Sequence, residues 1–112
     1  MAWFGGEVLQ TRNRVPGEFE SLTVGAEAVR LTGDKIKPIS GSYKGLSARV
    51  ALLTLEGADI RFRLDGGQPD ANSGHYLTSG DTLVLMETQA LEKFQAIRVG
   101  EVSGTFQVTY FY

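Results

Sequence analysis

Apolar residues return at every second position in a series of short runs, and no stretch sustains a helical period. The last nine residues, GTFQVTYFY, show it best. Phe106, Val108, Tyr110 and Tyr112 fall on one side, and Thr105, Gln107, Thr109 and Phe111 on the other. Successive side chains of a strand point to opposite faces, so this spacing predicts a β-strand. FESLTV, SARVALLTLE, ADIRFRLDG, DTLVLMET and FQAIRV repeat the pattern. Gly, Asp, Asn, Ser and Pro separate the runs at intervals of roughly 8–12 residues. The chain therefore reads as all-β: an antiparallel, jelly-roll-like β-sandwich of about seven or eight short strands.

The runs also suggest neighbours. SARVALLTLE and ADIRFRLDG, joined by Glu56-Gly57-Ala58-Asp59, predict a β-hairpin with Ile60, Phe62 and Leu64 inward and Arg61 and Arg63 outward. Val50 and Leu52 oppose Ala51, Leu53 and Leu55, so that strand is apolar on both faces. It is either covered on both sides or placed at a subunit contact. TGDKIKPISGSYKG predicts a loop with a short edge strand over Ile36 to Ile39, because Pro38 forbids a central position. QALEK suits a helical turn. Residues 65–81 form a polar turn, with Pro69 fixing a kink and Tyr76 and Leu77 as anchors. Residues 1–18 fit none of this. They read as an extended arm with a short strand near Val8, ahead of a domain at 19–112. Trp3 and Phe4 at its tip either mark a contact surface or fold back into the core.

A length of 112 residues, 42% of them apolar and 21% charged, fits one globular domain. A net charge of -2 gives no drive toward nucleic acid or an anionic membrane. Lys and Arg slightly outnumber acids up to Glu56, and acids outnumber them afterwards, which suits an ordinary mixed surface better than a mild head-to-tail attraction between copies. The absence of cysteine excludes disulfides, thiolate metal sites and a Cys nucleophile. MAWFGGEVLQ lacks the basic and apolar regions of a secretory signal. No apolar run approaches the roughly 20 residues of a membrane helix.

The candidate chemistry is thin. His75 is the one histidine, with Ser73 and Asp70 near it in sequence, but nearness in a turn is not triad geometry and no Gly-x-Ser-x-Gly elbow occurs. Asp65, Asp70, Asn72 and Asp81 offer hard oxygens without calcium-loop spacing, and such residues also serve turns. Gly66-Gly67 lacks the Lys and the helix of a phosphate loop. Arg61 and Arg63, with Tyr43 or Tyr76, suit either a ligand face or a solvated outer face. Tyr43, Tyr76, Tyr110 and Tyr112 are candidates for stacking on sugar rings. No enzyme, metal or cofactor is expected.

From Leu53 to Tyr112 the chain resembles small virion-associated proteins of tailed bacteriophages. The resemblance rests on RFRLDG at 61–66, Pro69, Gly74-His75, GDTL at 80–83, IRVG at 97–100 and VTY at 108–110. DGGQP at 65–69 is also similar to sandwich domains attached to carbohydrate-active enzymes. The phage resemblance implies a β-sandwich subunit of a virion, made in the host cytoplasm: a head decoration or cement protein, or a related accessory. Its partners would be the major capsid protein or another virion protein and further copies of itself, with a trimer favoured and no nucleic acid or membrane. Trp3, Phe4, Arg12, Arg14, Tyr76 and Tyr112 are the expected partner-binding residues. The alternative is a carbohydrate-binding module or a tail-associated adhesion domain.

Overall fold

The computed structural model describes residues 14–112. Eight strands and two short helices follow in the order β1 (Pro16–Val24), β2 (Val29–Arg30), α1 (Gly33–Ile36), β3 (Val50–Glu56), β4 (Ile60–Arg63), β5 (His75–Leu77), β6 (Thr82–Met86), α2 (Thr88–Lys93), β7 (Gln95–Arg98) and β8 (Gly104–Phe111). Two antiparallel four-stranded sheets result, β1-β8-β3-β6 (sheet A) and β2-β7-β4-β5 (sheet B). Within them β1 pairs with β8, β2 with β7, β3 with β6 and β4 with β5. The chain is thus doubled into one long antiparallel ribbon and rolled into a sandwich, which is the jelly-roll arrangement.

Alternation explains which face each strand buries. Val24, Ala51, Leu53, Leu55, Leu85, Phe106, Val108 and Tyr110 come inward from sheet A. Ile60, Phe62, Leu77 and Ala96 meet them from sheet B, with Phe94 and Leu91 closing one end. Burial of such side chains contributes roughly 25 cal/mol per Å² of apolar area. Tyr110 brings a hydroxyl into this layer. The Glu20 carboxylate accepts its proton-side bond, and accepts further bonds from the Thr32 N–H (3.3 Å) and hydroxyl (2.6 Å). A buried polar tip is tolerable because it is paired.

Three local expectations are corrected. The β3–β4 hairpin does not form: β3 lies in sheet A and β4 in sheet B, so residues 57–59 cross from one sheet to the other. The strand expected over Ile36 to Ile39 is instead the last residue of α1 followed by a loop. Pro38 ends that helical turn, as proline does shortly after a helix C-terminus. Leu64, expected inward, is exposed beyond the end of β4. The helical turn at QALEK forms as part of α2, and FQAIRV supplies β7.

The strand β1 takes in Pro16 to Glu18, residues assigned above to the arm. A register shift between Pro16 and Phe19 marks a bulge there. The bulge lets Gly17 and Glu18 both serve the inner side. A Cβ on Gly17 would lie 2.7 Å from the Tyr43 ring and 2.8 Å from the Tyr112 ring, so only glycine lets those rings settle on the strand. Glu18 reaches Lys35 at 3.2 Å.

The two ends of the sandwich differ. At one end the β1–β2, β3–β4, β5–β6 and β7–β8 connections are tight, spanning 25–28, 57–59, 78–81 and 99–103. At the other end lie the long connections 31–49, 64–74 and 87–94, with both helices and the entry of the chain at Val15.

Candidate functional site

The end with the long connections carries most of what a partner could use. Here the strand register of sheet A assembles an apolar area on its outer face. Phe111 of β8 faces Val50 of β3, and Val50 faces Met86 of β6. In the next outward row Phe19 pairs with Thr109, Thr109 with Leu52 and Leu52 with Val84. Phe19 is 55% exposed and Met86 45%, while Leu52 and Val84 are half-buried and Val50 and Phe111 buried. Farther along the same face the character changes. The Ser21 hydroxyl donates to Gln107 Oε1 (2.6 Å), and Gln107 Nε2 donates to Glu56 (2.9 Å). The face is therefore polar toward the tight turns and apolar toward the chain entry. Exposed Val15, Ile39 and Leu46 belong to the same end, since Val15 pairs with Tyr112 and the loop bearing Ile39 and Leu46 packs its Tyr43 on Tyr112. The two-sided pattern of SARVALLTL was the sequence signal for this face. The contributions of Phe19 and Met86 were not visible, because only the strand register brings them together.

The polar turn is clamped from its own sheet. Arg61 donates to the carbonyls of Ala71 (3.0 Å) and Gly74 (2.8 Å). Arg63 forms a two-pronged pair with Asp65 (3.0 and 2.6 Å) and donates to the Gln68 carbonyl (3.2 Å). Gln95 and Arg30 both donate to the Gly66 carbonyl. These arginines are occupied in holding residues 64–74 on sheet B, and the polar turn expected over 65–81 contains the short strand β5. The Arg63 bonds and the Gly67 N–H hold the Asp65 carboxyl down to about 2. The candidate calcium ligands stay apart: Asp65 serves Arg63 and Gly67, Asp70 accepts from the Asn72 N–H, and Asp81 accepts from the Thr78 N–H. Among the described residues no group of three His, Asp or Glu could hold a metal ion. His75 packs its ring 5.3 Å from Phe62.

Of the expected partner-binding residues, Trp3, Phe4 and Arg12 lie outside the described residues, as does the strand expected near Val8. Arg14 is half-buried at the chain entry. Tyr76 is 50% exposed on sheet B; its hydroxyl donates to Asp59 (2.7 Å) and Arg61 lies 5.1 Å from its ring centre. Bonds from the Ser79 N–H and Tyr76 hold the Asp59 carboxyl below the usual carboxylate range, and the Asp59 bond raises the Tyr76 phenol. Tyr112 is only 9% exposed. It stacks on Tyr43 with ring centres 4.7 Å apart, and its hydroxyl donates to the Lys35 carbonyl, so its ring offers a partner little surface. Tyr110 is wholly buried. Of the four tyrosines expected as a platform for sugar, Tyr110 and Tyr112 are buried, Tyr43 is half-buried against Tyr112, and Tyr76 alone is exposed.

Beside the apolar area, Lys37, Ser47, Arg49, Glu87, Thr88, Gln89 and Glu92 line an open depression of about 540 Å³. Lys37 and Glu92 pair across it at 3.1 Å. Glu87 is the only non-glycine with positive φ among the described residues, at φ 81°. Its N–H donates to the Arg49 carbonyl (2.7 Å) and its own carbonyl receives the first bonds of α2, which fixes the strained conformation. Glu87→Gly is expected to raise stability by about 1 kcal/mol, read as a higher urea midpoint, because glycine adopts this φ without a Cβ clash. An unchanged or lower midpoint would show that the backbone is not strained there.

Among the described residues no helix is long and apolar enough to cross a membrane. No protein-family model, curated protein or solved structure matches the chain.

Proposed function

We propose that the chain is a non-enzymatic structural subunit of a tailed-bacteriophage virion, a head decoration or cement-like protein or a related accessory, that binds neighbouring subunits. The observation that carries the reading is the apolar half of the outer face of sheet A, from Phe19 to Met86, on an otherwise mixed surface. Exposed apolar side chains gathered on one face of a sheet suit a contact site. The jelly roll also serves viral capsids, though by analogy alone, since lectins and cupins share it. In mechanism, a two-layer body fixed by its core would present a preformed face, so little ordering would offset the apolar burial on docking. Repetition on a closed symmetric lattice would multiply a weak contact.

The test uses phage lysates that contain the protein. Purified virions are expected to carry it in stoichiometric amount by mass spectrometry. The Met86→Lys protein should bind those particles at least about tenfold more weakly, since burial of half a methionine side chain is lost and a charge is placed in the contact. Virions that lack the protein while their lysate holds it would overturn the reading.

A sugar-binding or tail-associated adhesion role has one supporting observation. Tyr76 and Asp59 border a depression of about 280 Å³ with Val99 and Val102. Glycan-array binding that is abolished by Tyr76→Ala would favour it over assembly.

A further inference from the structure

We infer that the apolar half of the outer face of sheet A is the seat for residues 1–13 of a second copy of this chain, so that copies join head to tail by exchanging N-terminal segments. The inference rests on the assembly reading above and names the partner of that face.

The first argument is where the chain enters. Val15 exchanges both backbone bonds with Tyr112, at 3.0 and 2.9 Å, one position beyond Phe111. The segment therefore joins the domain at the border of the apolar area. Val15 and Tyr112 lie beyond the row of Phe111, Val50 and Met86, so residues 1–13 are tethered at that border and not beside Leu52 and Val84.

The second argument is length. Thirteen residues span roughly 40 Å when extended. The four strands of sheet A are only about 14 Å across, at about 4.8 Å per step. A segment that covered its own face would need only a fraction of that length. One that continued outward would carry Trp3 and Phe4 beyond the domain to a neighbour.

The third argument is chemical match. The segment holds Met1, Trp3, Phe4, Val8 and Leu9, with one acid and one base, Glu7 and Arg12. Its receiving area, the exposed Phe19 and Met86 with the half-buried Leu52 and Val84 between them, carries no charge. Each copy gives one segment and receives one; passed head to tail, this is a heterologous contact that closes into a ring when the rotation per copy allows.

Trp3 is the only tryptophan, so its emission reports where this segment sits. The full-length protein is diluted while emission and light-scattering mass are recorded together. The expected result is blue-shifted emission in the oligomer and a shift to the red on dilution, in step with the fall in mass. Met86→Lys should raise the concentration at half-shift at least tenfold. The deciding sample mixes Met86→Lys with Trp3→Ala at concentrations where each alone is monomeric. The Trp3→Ala chain has no tryptophan but an intact face, so a blue shift on mixing belongs to the other chain's segment seated on it. Blue emission that is independent of concentration and of mixing would place the segment on its own domain and overturn the inference. Red emission in a preparation that is still oligomeric would overturn it too, while leaving the assembly reading intact.

Discussion

Replacing Phe94 by alanine is expected to cost about 4 kcal/mol of folding stability. Phe94 is fully buried where α2 hands over to β7. Its ring centre lies 5.8 Å from Phe62, which comes from sheet B, and 5.8 Å edge-on from Phe106, which comes from sheet A. The ring is therefore a tie between the two layers, and alanine would leave a void that neither neighbour can fill without moving a strand. A domain of this size commonly has about 5–15 kcal/mol in total, so the loss is a large share of it. Urea unfolding of the purified variant should show a lower midpoint with an unchanged slope. Phe94→Leu should recover more than half of the difference. An alanine variant with the parental midpoint would mean that the layers do not depend on this contact.

The second large effect is alkaline destabilisation. Burial first, and the bond to Glu20 second, push the Tyr110 phenol well above its ordinary value of 10.0. Burial, with the Glu18 charge next, pushes Tyr112 up to about 12. In the unfolded chain both phenols ionise near 10. Above that pH the unfolded state gives up protons that the folded state keeps, so unfolding gains in favour as pH rises. The stability is fully present below pH 10 and is lost progressively toward pH 12 and beyond, at about 1.4 kcal/mol per pH unit for each tyrosine. With both acting, the loss over two units is about 5 kcal/mol, enough to unfold a marginal domain. Urea midpoints measured from about pH 9 to about pH 12 should fall steeply, and Tyr110→Phe should roughly halve the slope. A flat profile across that window would show that the two phenols ionise as readily inside the fold as outside it.

The faces of the strands were legible in the chain, and their partners were not. Alternation put Phe106, Val108, Tyr110 and Tyr112 on one side of their strand and Leu22 and Val24 opposite Phe19, and the structure keeps those groupings and shows which side faces the core. A period of two says which side of a sheet a residue takes but nothing about which sheet. Residues 57–59 are as short as a hairpin loop, yet they carry the chain between layers. What decides is remote: the Val99 N–H donates to the Asp59 carbonyl, and the Asp59 carboxylate receives the Ser79 N–H and the Tyr76 hydroxyl. The same limit governs the site. Phe19, Leu52 and Met86 are separated by many residues and meet only through register. Tyr112 reads as a terminal aromatic free for contact, and only the approach of Tyr43 over Gly17 shows that it is enclosed. The helical turn α1 was within reach, since Thr32-Gly33-Asp34 opens it and Pro38 follows its end. Strain at Glu87 had no signal, because a glutamate in its sequence context gives no hint of positive φ.

The pairing of β1 with β8 has a consequence for how the chain is made. During synthesis the first strand emerges nearly ninety residues before the strand it pairs with, as the partnership of Ser21 and Gln107 shows. Until Gly104–Phe111 leaves the ribosome, β1 is an unpaired ribbon and β3 can gain only β6. The inner layer of sheet A thus waits for β8, and folding must close a long loop before its largest apolar layer forms. Such non-local order favours slow folding, in milliseconds to seconds rather than microseconds. It also gives nascent chains on one messenger an interval in which β1 of one copy is open to pairing with β8 of another. A strong ribosomal pause just upstream of Gly104 is therefore the point in translation at which a misjoined product would arise.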